Sequence, residues 1–300
     1  MARHRLDGEE LHMRHFKPHV EAKAVVLMLH GAIENGRIFH DSKGQKGLAP
    51  FLARAGYEVL VADLRGRGKS RPHVSRSSLY GQTEAILEDL TIMGKALTDL
   101  ARGRPQHWIA HSWGGVLMSA HLLRFPERIL SIESMTFFGS KRSISVQNRE
   151  KFIAVDLVWN RAAKLATAIY GYLPARQLKM GSDDESRSSH AQSVVWVKEK
   201  TLWIDPKDGF DYGIAAEAIK LPRTLHLAGI KDAYLGHPVD VRRFAKECGQ
   251  DESKVRVLSK KSGNLSDYGH IDMLTDPRAS QDHFPLVLSW LSQSEANDHS

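Results

Sequence analysis

The chain has 300 residues, 42% hydrophobic and 26% charged, which is the make-up of an ordinary globule with room for one α/β domain or for a core carrying an insertion. Its longest apolar run, Ala24 to Leu29, falls far short of the ~18 residues a bilayer-crossing helix needs, so no integral membrane segment is expected. A net charge of +7 raises nucleic acid as a partner. The basic residues, however, are interleaved with acids, and the densest cluster, Arg65, Arg67, Lys69 and Arg71, accompanies no reader motif. The sequence therefore predicts a solvated basic face there and no nucleic-acid partner. The single cysteine, Cys248, leaves no internal disulfide, and the basic N-terminus lacks the apolar core of a signal peptide; both point to the cytoplasm.

Taken in order, Leu11 to Phe16 alternates polar and apolar residues and reads as an edge strand. Ala24 to Leu29 is continuously apolar, as a strand covered on both faces of a parallel sheet must be. A short helix, Ala49 to Ala55, leads to a second buried strand, Tyr57 to Ala62. From Thr83 to Leu100 apolar residues recur at helical spacing. Trp108 to Ala110 is a short strand, followed by a turn and an apolar helix stopped near Pro126. Ile129 to Phe138 is the next strand. This β-α alternation predicts a doubly wound, mostly parallel sheet with helices on both faces.

The pattern changes between residues 140 and 220. Phe152 to Leu173 has helical spacing. Gly181 to Ser189 is polar, and Trp196, Trp203, Phe210 and Tyr212 stand in a segment of weak strand character. This stretch is too long for a plain loop in a compact sheet. It reads as a mainly helical cap, with the core made by 1–139 and 221–300. The sheet resumes with strands at Arg223 to Ala228 and Val255 to Leu258, separated by a helix from Val239 to Lys246. A last helix covers Ala279 to Leu291, and the final residues read as a disordered tail.

The chemistry gathers at Ala110-His111-Ser112-Trp113-Gly114. A serine in a sharp turn between strand and helix is a nucleophile elbow, and so tight a turn needs small residues two positions to either side of the nucleophile. Here they are Ala110 and Gly114. An acid, Asp232, follows the strand Arg223 to Ala228, and His270 follows the last strand. Ser112, Asp232 and His270 thus each lie beyond the carboxyl end of a strand, where open α/β sheets place their sites. In these roles His270 would take the serine proton and Asp232 would hold the imidazole. The N–H groups of Ala32 and Trp113 would cradle an oxyanion. His111, Trp159 and Trp196 are the candidate substrate contacts. His30 reads as structural, and Asp272 as a local hydrogen-bonding residue. No residue set has metal-ligand spacing.

These residues, with Leu29-His30-Gly31-Ala32, Asp63 to Ser70 and Gly269-His270, make the sequence resemble the α/β-hydrolase superfamily. The one departure is Ala110 in place of the first elbow glycine. The resemblance implies an eight-stranded, mostly parallel sheet and no cofactor. Epoxide hydrolases and haloalkane dehalogenases of this superfamily carry an aspartate at the elbow, so Ser112 points away from both and toward acyl transfer. The expected function is hydrolysis of small carboxylic esters with an apolar acyl or alcohol part, through an acyl-enzyme. A thioesterase, acyltransferase, lipase proper or carbon–carbon bond hydrolase on the same triad stays open, as does a non-catalytic ligand-binding homologue. Oligomeric state is not legible.

Overall fold

The computed structural model describes residues 2–6 and 9–293. Eight strands form one sheet: β1 (Ala2–Leu6), β2 (Glu9–Phe16), β3 (Ala24–Leu29), β4 (Tyr57–Asp63), β5 (Gln106–His111), β6 (Ile132–Phe138), β7 (Thr224–Gly229) and β8 (Val255–Leu258). Their spatial order is β1-β2-β4-β3-β5-β6-β7-β8. The pairs β1–β2 and β2–β4 are antiparallel and the rest are parallel. The expected edge strand is therefore one place in from the edge, because β1 pairs outside it. β1 is polar and charged, which suits a strand at the rim of a sheet.

Alternation along β3 shows why the run AVVLML carries no polar residue. Val25, Leu27 and Leu29 point to one face. There they meet Leu90, Met93 and Leu97 of helix α2 (Leu90–Ala101) and Val116 and Leu117 of helix α3 (Trp113–Arg124). Ala24, Val26 and Met28 point to the other. They pack with Leu48 and Leu52 of α1 (Leu48–Arg54) and with Phe284, Val287 and Leu291 of a C-terminal helix, Phe284–Ser292. Each fully buried Val, Leu or Ile stabilises by roughly 1.5–3 kcal/mol, so this strand is the keel of both cores.

Two of the boundaries that differ from the sequence reading are set by proline. Ile129 to Ser131 is not strand: Pro126 starts a short 3-10 helix, Pro126–Ser131, with Leu130 in solvent. The C-terminal helix starts at Phe284, after a separate turn at Pro277–Ser280, because Pro285 favours a helix's first turn. The residues after 293, read as a tail, lie outside the described residues.

Between β6 and β7 the chain is mainly helical. Arg149 to Tyr170 forms one rod, with wide π-type turns over Phe152–Ala162, ended by Gly171 at φ +80°. A two-stranded ribbon, Tyr172–Leu173 with Glu185–Ser186, leads to the helix Arg187–Lys198, capped by the Ser186 hydroxyl. The weak strand character around the aromatics is not realised. Trp196 is in that helix, and Tyr212 opens another, Tyr212–Ala218, capped by Asp211. Packing overrode local β preference: Trp196, Trp203 and Tyr212 join the same apolar cluster as the α3 residues Trp113 and Val116. No described helix is long and apolar enough to cross a membrane.

The expected solvated basic face also fails. Arg65 is buried against Asp89 and Glu88, and Arg67 is buried against Glu185. Arg71 bonds carbonyls of its own loop, and only Lys69 and Arg71 of the four are exposed to solvent. Arg65 and Arg67 staple the β4 loop to the turn that leads into α2 and to the segment between β6 and β7.

Candidate active site

Ser112 stands between β5 and α3 at φ 52° and ψ −122°. An L-residue held there costs of order 1–3 kcal/mol and persists only where its surroundings over-determine it. They do so here. The Ser112 N–H donates to the Phe138 carbonyl at 2.7 Å. A Cβ on Gly114 would lie 2.6 Å from the His30 carbonyl oxygen, and one on Gly31 would lie 2.8 Å from the Ser112 Cβ. The elbow and the β3 loop therefore cross only with glycine at both places. Ala110 is fully buried, consistent with the need for a small residue there.

His270 Nδ1 donates to Asp232 Oδ2 at 2.5 Å. The other oxygen of that carboxylate accepts the N–H groups of Leu235 at 2.8 Å and Tyr234 at 3.3 Å. With the proton fixed on Nδ1, Nε2 keeps its lone pair. Burial presses the His270 imidazole below its ordinary value, against the opposing pull of Asp232, so the ring is neutral near pH 7. Burial alone would raise Asp232; the His270 ring and backbone N–H groups outweigh it and hold the carboxyl low. Gly139, at φ +61°, lets the ring in, for a Cβ there would stand 2.9 Å from His270 Nδ1.

Ser112 and His270 face one cavity of about 1160 Å³, also lined by Ala32, Trp113 and Trp159. Trp113 is the first residue of α3, so its N–H has no acceptor within the helix. Ala32 belongs to a loop clamped on both sides. His30 beneath it donates to the Gly31 carbonyl and accepts the Leu64 N–H, as a structural histidine would. From above, the Asp183 N–H donates to the carbonyl of Ile33, itself at φ +49°. Apolar side chains of the helical segment, among them Ile144, Val155, Val158, Trp159 and Val197, wall the far side.

The three expected substrate contacts are placed differently: Trp159 and His111 line the cavity. Trp196 does not line the cavity. It is 1% exposed, its indole N–H donates to the Ile204 carbonyl, and its ring packs on Trp113, Trp203 and Tyr212. Sequence alone could not tell an aromatic of the cap's interior from one on a substrate wall. His111 borders the cavity, but both its ring nitrogens are engaged: Nδ1 with Glu34 Oε1 at 2.7 Å and Nε2 with the His270 carbonyl at 3.0 Å. A ring facing two acceptors holds two protons. Burial would depress it, and the Glu34 carboxylate more than reverses that. Glu34 also accepts the Gly31 N–H at 2.6 Å. One carboxylate thus ties the Ala32 loop to the residue before Ser112, and through His111 to the His270 loop.

A family model of the alpha/beta hydrolase fold matches residues 24–169. The yeast monoglyceride lipase, solved as a soluble variant from Saccharomyces cerevisiae with a substrate analogue, superposes with a TM-score of 0.68 over 97% of this chain and 94% of that one. At 16% identity it speaks for the fold alone.

The chain belongs to the α/β-hydrolase superfamily.

Two relatives match in sequence. A 2-hydroxy-6-oxononadienedioate/2-hydroxy-6-oxononatrienedioate hydrolase of Burkholderia vietnamiensis (strain G4 / LMG 22486) is 26% identical over 78% of this chain and 79% of its own. The bifunctional epoxide hydrolase 2 of Sus scrofa is 34% identical over 101 residues, which is 32% of this chain but only 17% of that protein.

Several residues of this α/β-hydrolase escaped the sequence reading. Glu34 had one available signal: it is an acid in the loop just beyond the carboxyl end of β3. Gly139 and Lys141 had a like signal, standing just past the carboxyl end of β6.

Proposed function

We propose that this α/β-hydrolase cleaves small carboxylic esters with an apolar acyl or alcohol part through an acyl-enzyme on Ser112. Residues 1–139 and 221–300 are its core and 140–220 its lid. The observation that carries the reading is the coincidence, at one cavity, of a strained serine and a neutral imidazole oriented by a buried carboxylate. The apolar wall supports the substrate class.

In the first half-reaction Ser112 Oγ attacks the ester carbonyl carbon while its proton passes to His270 Nε2. The oxyanion is held by the N–H groups of Ala32 and Trp113, each such donor being worth about 100- to 1000-fold in rate. Collapse breaks the bond to the alcohol oxygen, which leaves with the proton from His270. Water then attacks the acyl-serine, again giving its proton to His270. The carboxylic acid departs and Ser112 regains its hydrogen. Asp232 stabilises the imidazolium formed in both halves.

A second reading, carbon–carbon bond hydrolysis on the same three residues, is favoured by the long match to the dioate hydrolase. Epoxide opening is less well supported, because the elbow carries a serine and the match covers little of that relative. The buried single cysteine fits a reducing, cytoplasmic setting. A fluorophosphonate probe tests the nucleophile: the wild type becomes labelled and Ser112→Ala does not. Labelling that persists in the variant removes Ser112 from the role.

A further inference from the structure

Lys141 and Arg142 are consecutive, basic and buried, and they are treated in opposite ways. Arg142 is saturated: Nε and Nη2 meet the two oxygens of Glu247, and Nη1 donates to the carbonyls of Trp196, Glu199 and Leu202. It is a structural tie. Lys141 is 7% exposed and lines the cavity that holds Ser112. Among the described residues nothing accepts a hydrogen bond from its ammonium and no carboxylate forms an ion pair with it. Its ammonium stands over the face of the Trp113 ring, 5.6 Å from the centroid. Asp232 and Asp240 attract it without forming an ion pair, and burial pushes it down to about 8, which leaves it mainly charged at neutral pH.

An ammonium largely withdrawn from bulk water, with no protein acceptor for its three donors, is costly unless something completes it. The cavity is the open side. It also has an excess of positive charge. Arg14, Arg37, Lys69 and Arg176 line it as well, whereas each of its carboxylates is engaged. Glu34 is paired with His111, Asp63 accepts from His12, Gly36 and Lys69, and Asp183 accepts from Asn35 and Gly68. Arg37, Lys69 and Arg176 are exposed at the rim, where they raise the local concentration of anions.

We infer that Lys141 is a specificity residue that pairs with a carboxylate on the substrate, so that the preferred esters are half-esters of dicarboxylic acids or esters of carboxylated alcohols. A carboxylate is favoured over a phosphate because Lys141 is the one buried lysine or arginine among the described lining residues, and a phosphate dianion at that depth would stay half-matched. This inference rests on the hydrolase reading for the ester and on Lys141 alone for the anion.

Two measurements keep those supports apart. In wild-type enzyme, kcat/KM is compared for mono-4-nitrophenyl adipate against 4-nitrophenyl hexanoate, and for 4-carboxyphenyl hexanoate against phenyl hexanoate. In Ser112→Ala, binding of the same four compounds is measured by calorimetry. A charged, hydrogen-bonded pair is worth roughly 10- to 100-fold, expected for the carboxylated member of at least one pair in both experiments. Lys141→Met should bring that ratio close to one. A wild-type ratio near one in both pairs overturns the inference without recourse to any variant, and so does a ratio that Lys141→Met leaves intact. Charge-selective binding without turnover by the wild type would keep the anion site and remove the ester reading; turnover without charge selectivity would do the reverse.

Discussion

The floor and the roof of the cavity are built by different physics. On the floor, the groups of the proposed catalytic machinery are held by directional bonds: His270 by Asp232, His111 by Glu34 and the His270 carbonyl, Ser112 by Phe138. The roof rod, Arg149 to Tyr170, is polar-bonded mainly near its ends. Asn148 donates to the Ala233 carbonyl, and Arg76 donates to the carbonyls of Ile169 and Tyr170. Between them Val155, Val158 and Trp159 meet the cavity through apolar contact. Directional bonds fix atoms to fractions of an ångström, whereas apolar contact fixes volume and lets shape adjust. Floor changes should therefore act on kcat and roof changes on KM.

The largest effect is expected for Ser112→Ala, which should lower kcat on nitrophenyl esters by at least about a thousandfold with the fold intact, read by steady-state kinetics beside circular dichroism. Loss of helical signal in parallel would make the serine a structural residue instead.

Next is acid sensitivity of the core beneath the floor. His107, His121 and His226 are buried, and burial holds each down to about 4. Between pH 4 and the ordinary histidine value of 6.5, the unfolded chain binds more protons than the folded one. Stability therefore rises with pH in that window and falls on acidification, by up to about 3 kcal/mol per residue. Thermal melts from pH 7 to 4 should show a steep loss of Tm. A flat Tm would contradict the placement of these rings.

Glu34→Gln should lower kcat by roughly 10- to 100-fold while leaving KM nearly unchanged, because it releases the His111 tie on the His270 loop. A lowered Tm with kcat intact would assign Glu34 to stability alone. The smallest change is expected on the roof: Trp159→Ala should raise KM for long-chain esters about threefold to tenfold with kcat preserved, and a fall in kcat at constant KM would break the division between floor and roof.

The floor was the more legible half, for a physical reason. Its residues stand at strand ends, and strand ends are written in the sequence as apolar runs meeting Gly, Asp or His: AVVLML before His30-Gly31, RTLHLA before Asp232, VRVL before His270. What the sequence did not disclose was pairing across the chain. Nothing near Glu34 announces His111, 77 residues on, and the cluster Arg65 to Arg71 looked solvated because Asp89 and Glu185 are remote in sequence. The roof was harder still. Trp159 and Trp196 are equivalent as letters, and only packing sends one to the cavity and the other into the core.

The central claim is that the oriented imidazole makes Ser112 a nucleophile that carries the acyl group. Rapid quench of wild-type enzyme with a slowly deacylating 4-nitrophenyl ester, followed by peptide mass spectrometry, tests it most directly. The account predicts a single acyl adduct on the peptide containing Ser112, formed with a stoichiometric burst of nitrophenol. Steady turnover with no adduct, or an adduct on another residue, would contradict it.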